Sequence, residues 1–87
     1  MVKNPTSTWC VYLLQCSDGS LYTGITNDLD KRLKTHAAGR GSKYVRSRLP
    51  FVLWYVVPVA TRSEASKMEA RLKREPRATK LQLGQPQ

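Results

Sequence analysis

Two strand-forming runs, Trp9 to Cys16 and Ser20 to Thr26, flank Ser17-Asp18-Gly19, and this arrangement constrains the chain more than any other feature in it. It reads as a β-hairpin. A two-residue Asp-Gly loop would put Tyr12 and Tyr22 on opposite faces, whereas a three-residue loop with Gly19 in the left-handed conformation pairs Tyr12 with Gly24 and Leu14 with Tyr22. We expect the second register. It sets both phenols on one sheet face as diagonal neighbours, and Gly24, having no side chain, leaves room beside Tyr12.

After the hairpin the period changes. Asn27 or Asp28 is a suitable N-cap, Leu29, Leu33 and Ala37 recur at helical spacing, and Gly39 stops the helix. On a wheel of about 100° per residue with Leu29 at zero, Arg32 and His36 fall at about −60° and −20°, at the edge of the apolar stripe. Residues 39 to 42 read as a loop and Lys43 to Leu49 as a short irregular or helical turn. Phe51 to Val57 is almost continuously apolar, which predicts a strand covered on both faces and ended by Pro58. Thr61-Arg62-Ser63-Glu64 reads as a capping box opening a helix to Glu75, with Ala65, Met68 and Leu72 as its apolar stripe and Glu69 beside it at about +40° from Ala65. Pro76 blocks continuation in register.

The expected fold class is therefore α+β: a small, mostly antiparallel three-stranded sheet flanked by helices, in the order β-β-α-(short α)-β-α. Eighty-seven residues support one domain, since a chain this size buries only about 60 to 65% of its unfolded surface. We expect an N-terminal extension over 1–8, a folded domain over 9–75 and a mostly disordered tail over 76–87.

Charge narrows the function. The net +9 is concentrated in two segments, with seven basic and two acidic residues in 28–48 and seven basic and three acidic in 62–80. Such a field suits a polyanion, and nucleic acid fits better than membrane because the basic stretches carry no apolar face for lipid. The expected contacts are Arg40, Lys43, Arg46, Arg48, Arg71 and Arg74. The longest apolar run, Phe51 to Ala60, contains Pro58 and is too short to span a bilayer, and no secretory signal is visible, so a cytoplasmic protein is expected.

Cys10 and Cys16, in one strand, would lie about 20 Å apart and cannot pair with each other. There is no CxxC and only one histidine, so a structural zinc site is excluded and a metal would be a hard cation on one or two carboxylates.

Tyr12, Tyr22, Arg32, His36 and Glu69 are the candidate functional residues, and each has a plain structural alternative. The tyrosines also read as ordinary strand aromatics, Arg32 as a partner of Asp28 one turn earlier, and Glu69 as a partner of Lys73 at i+4. Taken together, they supply a proton acceptor, a fixed positive charge and a carboxylate, which is what phosphodiester cleavage requires.

At this point the residues resemble a known family. Cys10-Val11-Tyr12, nine residues, then Tyr22-Thr23-Gly24 is similar to the paired motif of the GIY-YIG nuclease superfamily, with Cys10-Val11 in place of Gly-Ile and Thr23 in place of Ile. The resemblance covers residues 9 to 75, and Leu21 to Asn27 looks most like the small stand-alone bacterial proteins of the YhbQ type. It implies a metal-dependent endonuclease, with DNA favoured over RNA, using one Mg²⁺ (or Mn²⁺) bound mainly with substrate and leaving a 5′-phosphate and a 3′-hydroxyl. Implied roles are Tyr12 as general base, Tyr22 as its assistant, Arg32 on the scissile phosphate, His36 as proton relay for Tyr12 or as the group that orients it, and Glu69 as metal ligand, with Gly24 as the motif glycine. The alternative is a non-catalytic nucleic-acid-binding module on the same fold.

Overall fold

The computed structural model describes residues 9–84. The expected extension over 1–8 and the last three residues of the tail lie outside the described residues. Strand β1 (Trp9–Cys16) turns into β2 (Leu21–Thr26) through Ser17-Asp18-Gly19, with Cys16 N donating to Ser20 O and Gly19 N to Cys16 O, both at 2.9 Å. Gly19 has φ +84°, where only glycine is unstrained. Tyr12 pairs with Gly24 and Leu14 with Tyr22, the expected register.

Strand β3 (Phe51–Val59) adds antiparallel to β1, giving the sheet order β2-β1-β3. Central β1 is thus covered on both faces. Val11 packs with Ala65 and Leu72 of helix α3 (Arg62–Arg74), while Tyr12 and Leu14 pack with Leu29 and Leu33 of α1 (Leu29–Ala37) and Val45 of α2 (Lys43–Arg46). The period-2 pleat therefore sorts the chain into an α3 layer and an α1/α2 layer.

Three sequence expectations change. β3 is an edge strand rather than one covered on both faces: Val52, Leu53 and Val56 are exposed, and the strand runs through Pro58, which an edge tolerates. A bulge between Leu13 and Leu14 leaves Trp54 without a partner on β1, and its Nε1 donates to Leu81 O at 3.1 Å. Leu81 belongs to α4 (Arg77–Leu83), so the tail read as mostly disordered contains a helix packed on β3. Arg77 secures its start by donating from Nε and Nη2 to Gly19 O at 3.2 and 2.8 Å. On α1, His36 occupies the buried centre of the stripe while Ala37 is exposed.

The caps follow the sequence closely. Asp28 accepts from Lys31 N, Thr61 Oγ1 accepts from Glu64 N at 3.1 Å, and Glu64 Oε1 reaches Ala60 N, one residue beyond the cap it was expected to close. Gly39 ends α1 with φ +77°.

Gly24 answers to space rather than to φ. A Cβ there would run into the Tyr12 ring and hydroxyl. Gly24→Ala is expected to destabilise the domain by about 1–3 kcal/mol through overpacking, read as a lower urea midpoint with an unchanged m-value.

Candidate active site

Tyr12 and Tyr22 share the α1/α2 face, with ring centroids 6.4 Å apart. Tyr12 is fully buried, and its hydroxyl lies 2.9 Å from Nε2 of the equally buried His36. Burial pushes the Tyr12 pKa up, the neighbouring Tyr22 adds to that rise, and the Arg32 guanidinium opposes it. With Tyr12 a neutral phenol, the direction of this hydrogen bond follows the imidazole tautomer: the hydroxyl donates to Nε2 when the ring proton is on Nδ1 and accepts when it is on Nε2. Nδ1 is buried with no partner among the described residues. Gly41 packs directly against it, since a Cβ at 41 would collide with Nδ1.

His36 is held neutral: burial lowers its pKa first, and the charge on Arg32 lowers it further. The unfolded chain therefore takes up a proton first as pH drops through about 6.5. Stability from this group is complete above that pH and is lost below it until the folded imidazole titrates, at no more than about 1.4 kcal/mol per pH unit. Because the chain has one histidine, NMR of a single imidazole reads the depressed pKa directly, and His36→Gln should remove this component from the pH dependence of urea unfolding.

In front of this pair lies a cleft of about 630 Å³ between α1 and the loop that follows it, lined by Tyr22, Arg32, His36, Arg40 and Gly41 among others. Lys31, Arg32 and Arg40 line it together with the single carboxylate of Asp28, so the cleft is cationic. Asp28 is occupied as the cap of α1, and no carboxylate pairs with Arg32 among the described residues. The fold thus brings Tyr22, Arg32 and His36 to one cleft, with Tyr12 behind them.

Glu69 stands apart. It sits on α3, which covers the opposite face of the sheet, and it is not part of the cleft lining. Its side chain is 25% exposed and lies 3.5 Å from Lys73 Nζ, the i,i+4 partner anticipated from the sequence. Among the described residues no group of three His, Cys, Asp or Glu could enclose a metal. A single, partly exposed carboxylate still fits Mg²⁺, which retains most of its waters and takes further ligands from substrate phosphate.

Arg40, Lys43, Arg46, Arg71 and Arg74 are exposed, whereas Arg48 is engaged with Asp18 and Tyr44. Sequence reasoning left Gly41 and Tyr44 out of the site. Tyr44 stacks on Tyr22 with centroids 5.9 Å apart, and its only signal was an aromatic within a basic segment. Gly41 gave no signal apart from its loop context.

A family model described as the GIY-YIG catalytic domain matches residues 8–82. A UPF0213 protein of Oceanobacillus iheyensis is 51% identical over 73 residues, covering 84% of this chain and 85% of that one. One from Nitratidesulfovibrio vulgaris is 49% identical over 73 residues, 84% of this chain and 66% of the longer relative. Two solution NMR structures are similar: the UPF0213 protein BH0048 of Bacillus halodurans, 43% identical with TM-score 0.58 over 91% of this chain and 88% of that one, and EF2693 of E. faecalis, 37% identical with TM-score 0.64 over 93% and 85%.

Proposed function

Because the chain belongs to the GIY-YIG catalytic-domain family, we propose that it is an endonuclease hydrolysing phosphodiester bonds of nucleic acid, DNA ahead of RNA. The observation that carries this reading is the buried Tyr12–His36 hydrogen bond beside an Arg32 with no carboxylate partner among the described residues, at the back of a cationic cleft.

Arg32 binds the scissile phosphate and stabilises the charge that builds on its oxygens. Tyr12 becomes a base by passing its hydroxyl proton to His36 Nε2, and the phenolate formed accepts a proton from the attacking water, stabilised by the adjacent guanidinium. Burial of Tyr12 in the free protein holds this step back until nucleic acid opens a path for one water. Tyr22, on the cleft wall, orients that water or a phosphate oxygen. Glu69 would hold Mg²⁺ or Mn²⁺, which when bound supplies Lewis-acid stabilisation of the leaving oxygen. Buried free thiols at Cys10 and Cys16 accord with work in a reducing compartment, the cytoplasm.

The binding-only reading also has specific support, namely the full burial of Tyr12 and the pairing of Glu69 with Lys73. Labelled single-stranded, duplex, flap and junction DNAs and RNAs, incubated with the purified chain and Mg²⁺ or Mn²⁺, separate the two. Cleavage of DNA ahead of RNA is expected, and binding without cleavage of any member would leave a binding module.

Affinity itself should come from phosphate contacts by the exposed loop and α2 cations. A triple Arg40→Ala, Lys43→Ala, Arg46→Ala variant is expected to weaken binding to a labelled duplex. Its plot of log affinity against log salt should flatten by about 0.7–0.9 per lost contact.

A further inference from the structure

Arg48 was expected to touch phosphate, yet its guanidinium is already engaged within the protein. Nε donates to Asp18 Oδ2 at 2.9 Å, and Nη1 donates to Tyr44 O at 3.1 Å and Ser47 Oγ at 3.0 Å. Its Cζ lies 3.9 Å from the centroid of the Tyr44 ring, a cation–π contact. Tyr44 in turn stacks on Tyr22 at an interplanar angle of 28°, and Tyr22 packs edge-on to His36 with centroids 5.5 Å apart. Helix α2 is only four residues long and cannot orient Tyr44 by its own backbone. Besides the packing of buried Val45 with Tyr12 and Leu14, Arg48 ties it to the hairpin, both through Asp18 and through its own carbonyl, which accepts from Ser17 N at 2.9 Å.

We propose that Arg48 is a positioning residue: anchored to the hairpin turn by Asp18, it holds the Tyr44 ring against Tyr22 and so fixes the Tyr22 phenol at the cleft wall. This rests on the nuclease reading for its catalytic consequence but not for its structural one. Planarity is essential to the device, because a lysine could meet Asp18 but could not stack on Tyr44 while donating to the Tyr44 and Ser47 oxygens. Asp18 serves two ends: Oδ1 accepts from Ser20 N at 3.0 Å and shapes the turn, while Oδ2 holds Arg48. Asp18→Asn therefore keeps the turn acceptor and removes the charge that anchors Arg48.

The test compares wild type with Arg48→Ala, Arg48→Lys and Asp18→Asn by two readouts. One is the ring ¹H–¹³C resonances of Tyr22. The other is single-turnover cleavage at saturating substrate, on the DNA of the panel that wild type cuts fastest, alongside duplex affinity and its salt dependence. Arg48→Ala and Arg48→Lys should shift or broaden the Tyr22 ring signals and lower saturating turnover by about ten- to a hundredfold, with affinity and salt slope unchanged. Asp18→Asn should move the same signals in the same direction by less. If Arg48→Ala does not fold, Arg48→Lys and Asp18→Asn carry both readouts. Unchanged Tyr22 signals and turnover, with a salt slope flatter by about 0.7–0.9, would make Arg48 a phosphate contact and overturn the proposal. A wild-type protein that cuts nothing sinks the nuclease reading alone, and the Tyr22 resonances then decide the role of Arg48.

Discussion

Arg32→Ala is expected to lower the cleavage rate at saturating nucleic acid by about a hundred- to a thousandfold, the cost of removing one preorganised group that stabilises transition-state charge. The effect should fall on turnover far more than on affinity, because Arg40, Lys43 and Arg46 remain to hold the phosphate backbone. Arg32 is exposed on α1 and caps nothing, so its loss should leave the fold intact. It also removes the charge that opposes the raised Tyr12 pKa and lowers that of His36, and the single imidazole should titrate at a higher pH in this variant. An unfolded chain would also titrate at a higher pH, toward about 6.5, so an unchanged urea midpoint is what separates a variant that has lost its local field from one that has merely unfolded.

Glu69→Gln is expected to remove divalent-dependent cleavage to a similar or greater degree, again roughly a hundred- to a thousandfold, while nucleic-acid affinity stays within a few-fold. The stability cost should be small. Glu69 contributes an i,i+4 pair with Lys73, worth at most about 0.5 kcal/mol to a helix. Cleavage by Glu69→Gln at the wild-type rate would return this residue to a helix-surface ion pair. The placement of Glu69 on α3, behind the sheet from Tyr12, makes this the more demanding of the two expectations. A Glu69-held ion would reach the leaving oxygen only where substrate binding brings this carboxylate to the same phosphate that Arg32 holds.

Much of the fold is local and was legible for that reason. The hairpin register follows from one loop length and one left-handed glycine, and the helix ends from Asp28, Gly39 and Thr61. What failed was tertiary. An apolar run such as Phe51 to Val57 has the same pattern whether it lies at the centre of a sheet or at its edge, and the equally unbroken run Trp9 to Leu14 of β1 did not distinguish which of the two is central. The tail helix depends on two long-range donors, Trp54 Nε1 and Arg77, whose acceptors at Leu81 and Gly19 no sequence window contains.

The site divides along the same line. That Tyr12 and Tyr22 share a face, and that Arg32 and His36 share one side of a helix, were periodicity arguments. That His36 would bury itself against the Tyr12 hydroxyl, or that Arg48 would spend its donors on Asp18 and Tyr44, required the packing of separate elements. The wheel placed Glu69 beside an apolar stripe, but only the assembled sheet shows that this stripe faces the layer away from the phenols.

Single-turnover cleavage of labelled DNA by wild type and Arg32→Ala, in parallel and in Mg²⁺, decides whether this cleft cuts nucleic acid and whether Arg32 does the work there. Wild-type products should carry 5′-phosphate and 3′-hydroxyl ends, and the variant should react at least a hundredfold more slowly. Equal rates for the two proteins, or wild-type protein that binds every DNA in the panel and cuts none, would contradict this.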